Sequence, residues 1–154
     1  IRDATPEAAI NTDIIVGFPG ESEAQFQNTA RLMEETRFDM VHIAAYSARP
    51  GTVAASWPDD VSADDKERRR VALEALQERI AGEINAQSLG RDVEVLVDGQ
   101  QRGRWRGRTR TNKLVFFESS TDWRGRMAIV HLTWTGPWSM LGEVLGPAPG
   151  YCAD

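Results

Sequence analysis

The chain has 154 residues, 41% of them hydrophobic, and a formal net charge of −5. That length holds one domain or two small ones, and every apolar run falls short of the roughly 18–20 residues that span a bilayer, so no membrane partner is expected. One cysteine, Cys152, excludes an intrachain disulfide and any site built from several thiolates. The chain opens on Ile1 without methionine and without a signal-peptide pattern, so a piece of a longer, cytoplasmic protein is expected. Charge is unevenly spread. Residues 1–88 carry 9 Lys/Arg against 16 Asp/Glu, net −7, while residues 89–154 carry 9 against 7, net +2. Two units with different jobs are implied.

Asp13-Ile14-Ile15-Val16-Gly17-Phe18 is a short β-branched run, of the kind buried on both faces of a parallel sheet, and Pro19-Gly20 stops it. Ser22 with Gln25 three residues on is a capping-box pattern. Phe26, Thr29, Ala30 and Met33 follow at helical spacing and predict a helix over 22–37. Asp39 to Ser47 reads as a second strand, then a loop with Pro50, Gly51 and Pro58. Ser62 and Asp65 open a longer helix to about Gln87, with Leu73, Leu76, Ile80 and Ile84 as its apolar face and Arg68–Arg70 as a solvated one. The order β-α-β-α marks an α/β segment. Two strands with two helices do not close a core, so a part of a larger α/β barrel or open sheet is expected.

The second half changes character. Asp92–Asp98, Arg104–Thr111, Lys113–Glu118, Arg126–Thr135 and Trp138–Leu145 each read as a strand, which predicts a small five-stranded Greek-key barrel of the OB type. Trp105, Trp123, Trp134 and Trp138 fall here, either as barrel filling or as platforms for unpaired bases. Arg104, Arg106, Arg108 and Arg110 recur every second residue, so a regular strand points all four one way. No acid lies between Gly99 and Phe117. Such a row suits a phosphate backbone, because the guanidinium fork donates parallel hydrogen bonds and stays charged; the alternative is a charged strand edge that discourages aggregation. Gly107 is where a bulge would turn one arginine away.

Three segments stand in order: Asp13-Ile14-Ile15-Val16-Gly17-Phe18-Pro19-Gly20-Glu21, Tyr46-Ser47-Ala48-Arg49-Pro50-Gly51-Thr52, and Gly107-Arg108-Thr109-Arg110-Thr111-Asn112-Lys113-Leu114-Val115. Over about residues 10–146 the chain resembles the carboxyl-terminal half of the radical-SAM methylthiotransferases, in particular the MiaB-type tRNA 2-methylthio-isopentenyladenosine synthases. The resemblance implies that residues 1–87 are the end of a radical-SAM (β/α) barrel, 88–146 an RNA-binding TRAM domain and 147–154 a tail. It implies S-adenosylmethionine and two [4Fe–4S] clusters as the parent enzyme's cofactors, and a methylthio group added to C2 of a modified adenosine beside the tRNA anticodon. The implied partner is the anticodon stem-loop, and the parent is expected to be a monomer.

The family's cluster cysteines are missing from this sequence, and clusters need thiolate ligands. A fragment inactive on its own is expected, binding no cluster and no cofactor stoichiometrically. Gly17, Pro19, Gly20 and Glu21 form either a plain strand-to-helix turn or, through the resemblance, part of the cofactor pocket wall. Arg49 is a loop charge, or a partner for an S-adenosylmethionine carboxylate or an RNA phosphate. Arg104, Arg106, Arg108, Arg110, Asn112 and Lys113 are the RNA-binding candidates. His42 and His131 read as packed, hydrogen-bonded histidines rather than metal ligands. The alternative for the whole chain is a stand-alone nucleic-acid-binding module with a structural α/β collar, or a related methylthiotransferase with another substrate.

Overall fold

The computed structural model describes residues 1–2 and 4–150 and divides into two compact units, one of Ile10–Ile80 and one running on from Ala81 together with Ile1–Ala9. Cys152 lies outside the described residues.

In the Ile10–Ile80 unit, β1 (Asn11–Val16) and β2 (Met40–Ala45) pair in parallel, Asn11 opposite Met40 and Val16 opposite Ala45. Between them runs α1 (Glu23–Thr36). The expected capping box is present: the Gln25 N–H donates to Ser22 Oγ at 3.3 Å, and the Ser22 N–H to Gln25 Oε1 at 2.8 Å. α2 (Ala63–Ala86) starts in a related way, the Asp65 N–H donating to Ser62 Oγ at 3.0 Å. Val16, Phe26, Met33, Val41, Leu73 and Ile80 are buried here.

Two expectations need correction. β1 is not buried on both faces, since Val16 is fully buried while Ile15 is 56% exposed. A two-stranded sheet with one face uncovered alternates in this way. The buried line of α2 also differs from the apolar stripe: Leu73 and Ile80 lie on it, Leu76 and Ile84 only half so, and Lys66, Arg69 and Gln77 complete it. Arg69 is 5% exposed, so the solvated face is Arg68 and Arg70 alone.

Arg68 Nη2 reaches Glu23 Oε2 at 3.0 Å and Asp65 Oδ1 at 3.1 Å. Hydrogen bonds from Gln27 and then Arg68 hold the Glu23 carboxyl below its ordinary value, and the Ser62 hydroxyl and then Arg68 do so for Asp65. A carboxyl with a depressed folded-state pKa contributes stability above its ordinary pKa and loses it as the pH falls through the depressed one. Arg68→Gln is therefore expected to raise both titration midpoints, read by carbon-detected NMR. It should also flatten the loss of stability below about pH 4, modestly because the groups are exposed.

In the second unit β3 (Asp92–Gln101), β4 (Arg104–Thr109), β5 (Leu114–Glu118), β6 (Met127–Thr135) and β7 (Met140–Pro147) form a closed barrel in the order β3-β4-β5-β7-β6. β5 and β7 run parallel and the other neighbours antiparallel. This is the five-stranded OB-type barrel that the sequence predicts. Val95, Val97, Trp105, Val115, Phe117, Trp123, Ala128, Val130, Leu132 and Met140 fill it. Arg102 (φ 51°) and Gly103 (φ 81°) make the two-residue β3–β4 turn, both at positive φ as a type I′ hairpin requires. Gly107 and Gly142 let neighbouring strands close in: a Cβ there would stand 2.4 Å from the Leu96 carbonyl oxygen and 2.3 Å from that of His131. The irregularity expected at Gly107 lies across from it on β3, between Val97 and Gly99, and no arginine is turned inward.

Candidate functional site

The first candidate lies at the carboxyl ends of β1 and β2. A cleft of about 330 Å³ is lined by Ile15, Phe18, Tyr46, Ser47, Arg49 and Thr52, among others. Its aromatic wall is ordered by edge-on contacts: Phe18 meets Tyr46 at 5.1 Å and Trp57 at 5.6 Å between ring centres. The Tyr46 hydroxyl donates to the Ala54 carbonyl at 3.1 Å, and Thr52 Oγ1 to the Arg49 carbonyl at 2.8 Å, tying the following loop to the wall. The Arg49 guanidinium makes no ion pair among the described residues.

Behind this wall sits a buried polar network. The Glu21 carboxylate accepts from the Gly17 N–H at 2.6 Å and from Arg69 Nη1 at 2.7 Å, with Arg69 buried and Glu21 largely covered. Arg69 also donates to the Glu21 carbonyl at 3.0 Å and lies over the Phe26 ring at 5.5 Å. Lys66 pairs with Asp59 at 2.6 Å and lies over the Tyr46 ring at 5.4 Å. A Cβ on Gly17 would stand 2.3 Å from Lys66 Cγ, so the missing side chain makes room for Lys66. The Gly20 N–H donates to Asp60 Oδ1 at 2.7 Å. Phe18 and Arg49 thus face the cleft, while Gly17, Gly20 and Glu21 are bonded within the turn that carries Phe18 and Pro19. Lys66, Arg69 and Asp59 escaped the sequence reading. The signal for Lys66 and Arg69 was the spacing 66, 69, 73, 77, 80, which is one helix face, whereas Asp59 precedes the helix and meets Lys66 only in the fold.

The second candidate is the outer face of the barrel. Arg104, Arg106 and Arg108 point outward from β4, alternating with inward Trp105 and Gly107. The strand ends at Thr109, so Arg110 lies in the turn and the row on one strand is three, not four. Thr109 stops it: its N–H donates to the Lys113 carbonyl at 3.0 Å, its hydroxyl accepts from the Lys113 N–H, and Asn112 turns at φ 62°.

Nor is the row unneutralised. Arg104 meets Glu118 at 3.0 Å, Arg106 meets Asp98 at 2.8 Å, and Arg110 meets Glu94 at 2.6 Å. These acids come from the neighbouring strands β5 and β3, which sequence distance hides. Arg108 is bonded to the Asn112 carbonyl at 3.0 Å and makes no ion pair among the described residues. Exposed pairs of this kind contribute about 0–1 kcal/mol each, so an arginine exchanges its carboxylate for a phosphate at little cost.

Of the tryptophans, Trp105 and Trp123 are core, with indole N–H groups donating to the Ser119 carbonyl and hydroxyl at 3.1 Å. Trp134 and Trp138 are about half exposed. His131 is hydrogen-bonded, Nδ1 lying 2.6 Å from Asp92 Oδ1, whereas His42 is exposed rather than packed. Among the described residues no three His, Cys, Asp or Glu side chains converge as a metal site.

A parallel β/α segment with a cleft at its strand ends and a closed OB-type barrel with an outward arginine row define a two-unit chain of the α/β-plus-OB class. No family model matches it. It is 55% identical over 146 residues to the tRNA-2-methylthio-N(6)-dimethylallyladenosine synthase of Roseiflexus sp. (strain RS-1), which covers 92% of this chain and 31% of that protein. Synthases of the same name from Herpetosiphon aurantiacus (51%, covering 95% and 34%) and Chloroflexus aurantiacus (52%, covering 92% and 31%) match it similarly. The chain belongs to the tRNA-2-methylthio-N(6)-dimethylallyladenosine synthase family and spans about a third of the length of the curated relatives it matches.

Proposed function

We propose that this chain is the RNA-gripping and cofactor-flanking part of a radical-SAM tRNA methylthiotransferase. The enzyme would act in the cytoplasm, as a monomer, on C2 of a modified adenosine beside the anticodon. The observation that carries this reading is identity above 50% over more than nine-tenths of the chain to synthases named for that product. On this reading the barrel is a TRAM domain that holds the anticodon stem-loop, and the α/β unit is the end of a radical-SAM barrel.

The two cofactor types fit this chain differently. Iron–sulfur clusters do not fit: the sequence has one cysteine, and no three ligating side chains converge among the described residues. The chain is inactive alone on this reading. S-adenosylmethionine fits the cleft in part. Phe18 and Tyr46 offer an apolar, aromatic wall to its nucleoside, and the Arg49 guanidinium suits its carboxylate. Bound there, S-adenosylmethionine would supply a methyl group, and radical chemistry only with an electron from a cluster held outside this chain, while Phe18, Tyr46 and Arg49 would bind and orient it. Gly17, Pro19, Gly20 and Glu21 fix the turn that presents Phe18.

RNA binding is tested by titrating an anticodon stem-loop into the chain at several salt concentrations. Contacts from three or four of Arg104, Arg106, Arg108, Arg110 and Lys113 predict a log–log slope of roughly −2 to −3. Arg108→Ala with Arg110→Ala should shallow it by about one to one and a half, equally for different loop sequences, because phosphate contacts position and do not specify. Asp98→Asn, which frees Arg106, should tighten binding. An unchanged slope in the double variant moves the RNA off this face, and a chain that binds no RNA ends the reading.

A further inference from the structure

The loop between β6 and β7 is built more rigidly than a surface connection needs. Asn85, 3% exposed, donates from Nδ2 to the carbonyls of Gly136 at 2.8 Å and Pro137 at 3.1 Å. The Gly136 N–H closes the turn on the Ser139 carbonyl at 2.9 Å. Trp134 lies against Gly136, where a Cβ would stand 2.4 Å from its Cη2. This frame holds Trp138 with 48% of its surface exposed. Unlike those of Trp105 and Trp123, its indole N–H has no hydrogen-bond acceptor among the described residues.

The barrel's parallel seam brings that loop to the β4–β5 turn. Val115 pairs with Met140, so Lys113 and Trp138 each stand two residues upstream of that pair and enter the seam from the same end. The turn presents Asn112 at φ 62°, its backbone held by Arg108 and Thr109, and its side-chain amide makes no hydrogen bond among the described residues. Lys113 gives the same end a cation, beside Arg110 with its partner Glu94. An aromatic ring, a free amide and cations held on rigid backbone are the parts that hold an unpaired nucleotide: π-stacking, base-edge readout and phosphate attraction.

We propose that Trp138 stacks on an unpaired base of the bound RNA, with Asn112 at the base edge and Lys113 on the adjoining phosphate. The inference rests on the RNA-binding reading above and adds what that reading lacks, a contact that selects unpaired over paired RNA. Stacking on a duplex is blocked because its bases already face one another.

The test uses the 154-residue chain with two fluorescently labelled RNAs at fixed salt, an anticodon-type stem-loop and a fully paired duplex with the same stem. Trp138→Ala is expected to weaken stem-loop binding about tenfold, leave duplex binding unchanged and leave the salt slope unchanged. Trp138→Phe should bind within about threefold of wild type. A stem-loop carrying 5-bromouridine in its loop should cross-link to Trp138 in the unaltered chain, located by mass spectrometry, which removes any dependence on how the variants fold. Stem-loop binding by Trp138→Ala within twofold of wild type, equal loss on the duplex, or cross-links that avoid residues 136–139 would each overturn the stacking role. Wild-type binding with a normal salt slope in those cases leaves the phosphate grip standing. Failure of the wild type to bind either RNA overturns both readings.

Discussion

Arg69→Ala should destabilise the Ile10–Ile80 unit by about 3–5 kcal/mol, the usual consequence of stranding one partner of a buried ion pair. Arg69 and Glu21 are 6% and 13% exposed at their side chains, 2.7 Å apart, and Glu21 also holds the Gly17 N–H. Removing the guanidinium leaves a buried carboxylate with one backbone donor. Glu21→Ala leaves Arg69 only the residue-21 carbonyl at 3.0 Å and the Glu23 carboxylate at 3.5 Å, and it also orphans the Gly17 N–H, a further loss of about 1–3 kcal/mol. The double variant should cost much less than the sum of the two, because neither charge is then left alone. Hydrogen exchange of amides in β1 and α1 under denaturant reads all three. A single-variant loss below 1 kcal/mol would put the pair in the exposed class, where partners contribute little. The same network fixes the turn bearing Phe18, so the cleft's aromatic wall should loosen with it, and the near-ultraviolet signal of the neighbouring Trp57 reports that.

What the sequence disclosed and what it hid follow one physical division. Signals that act within a few residues were legible: the Ser22–Gln25 capping box, the Ser62 start of α2, and the β-period of the barrel strands. Trp105 was legible in principle as well, since a strand that points Arg104 and Arg106 outward must point Trp105 in. Partners distant in sequence were not. Arg69 reads as one of three surface arginines until Glu21, 48 residues upstream, is placed beside it. Asp98, Glu94 and Glu118 lie outside the acid-free stretch around the arginine row and meet it only through strand pairing. The end of β4 at Thr109 was hidden for a different reason: Asn112 adopts the left-handed conformation and Thr109 bonds across the turn, a local choice that outcompetes two more residues of alternation.

Phe117→Ala is expected to cost the barrel about 3–5 kcal/mol, the range for emptying a buried aromatic site. Phe117 is 2% exposed and the largest fully buried side chain among the described residues. It packs edge-on against Trp123 at 6.2 Å, and Trp123 and Trp105 both anchor their indole N–H groups on Ser119. The cavity therefore opens beside the residues that hold the β5–β6 loop, in a barrel whose buried cluster holds ten of the described residues. Whole domains are stable by about 5–15 kcal/mol, and a small barrel sits at the low end of that range. Phe117→Ala should bring it to the edge of unfolding, with an early denaturant midpoint and a lost near-ultraviolet tryptophan signal. Phe117→Leu, which keeps most of the volume, should cost about 1 kcal/mol. Near-equal midpoints for the two variants would mean that the barrel collapses around the site. The interior would then tolerate looser filling than its closely packed strands at Gly107 and Gly142 imply, and the rigid presentation of Trp138 and the arginine row would need another source than barrel closure.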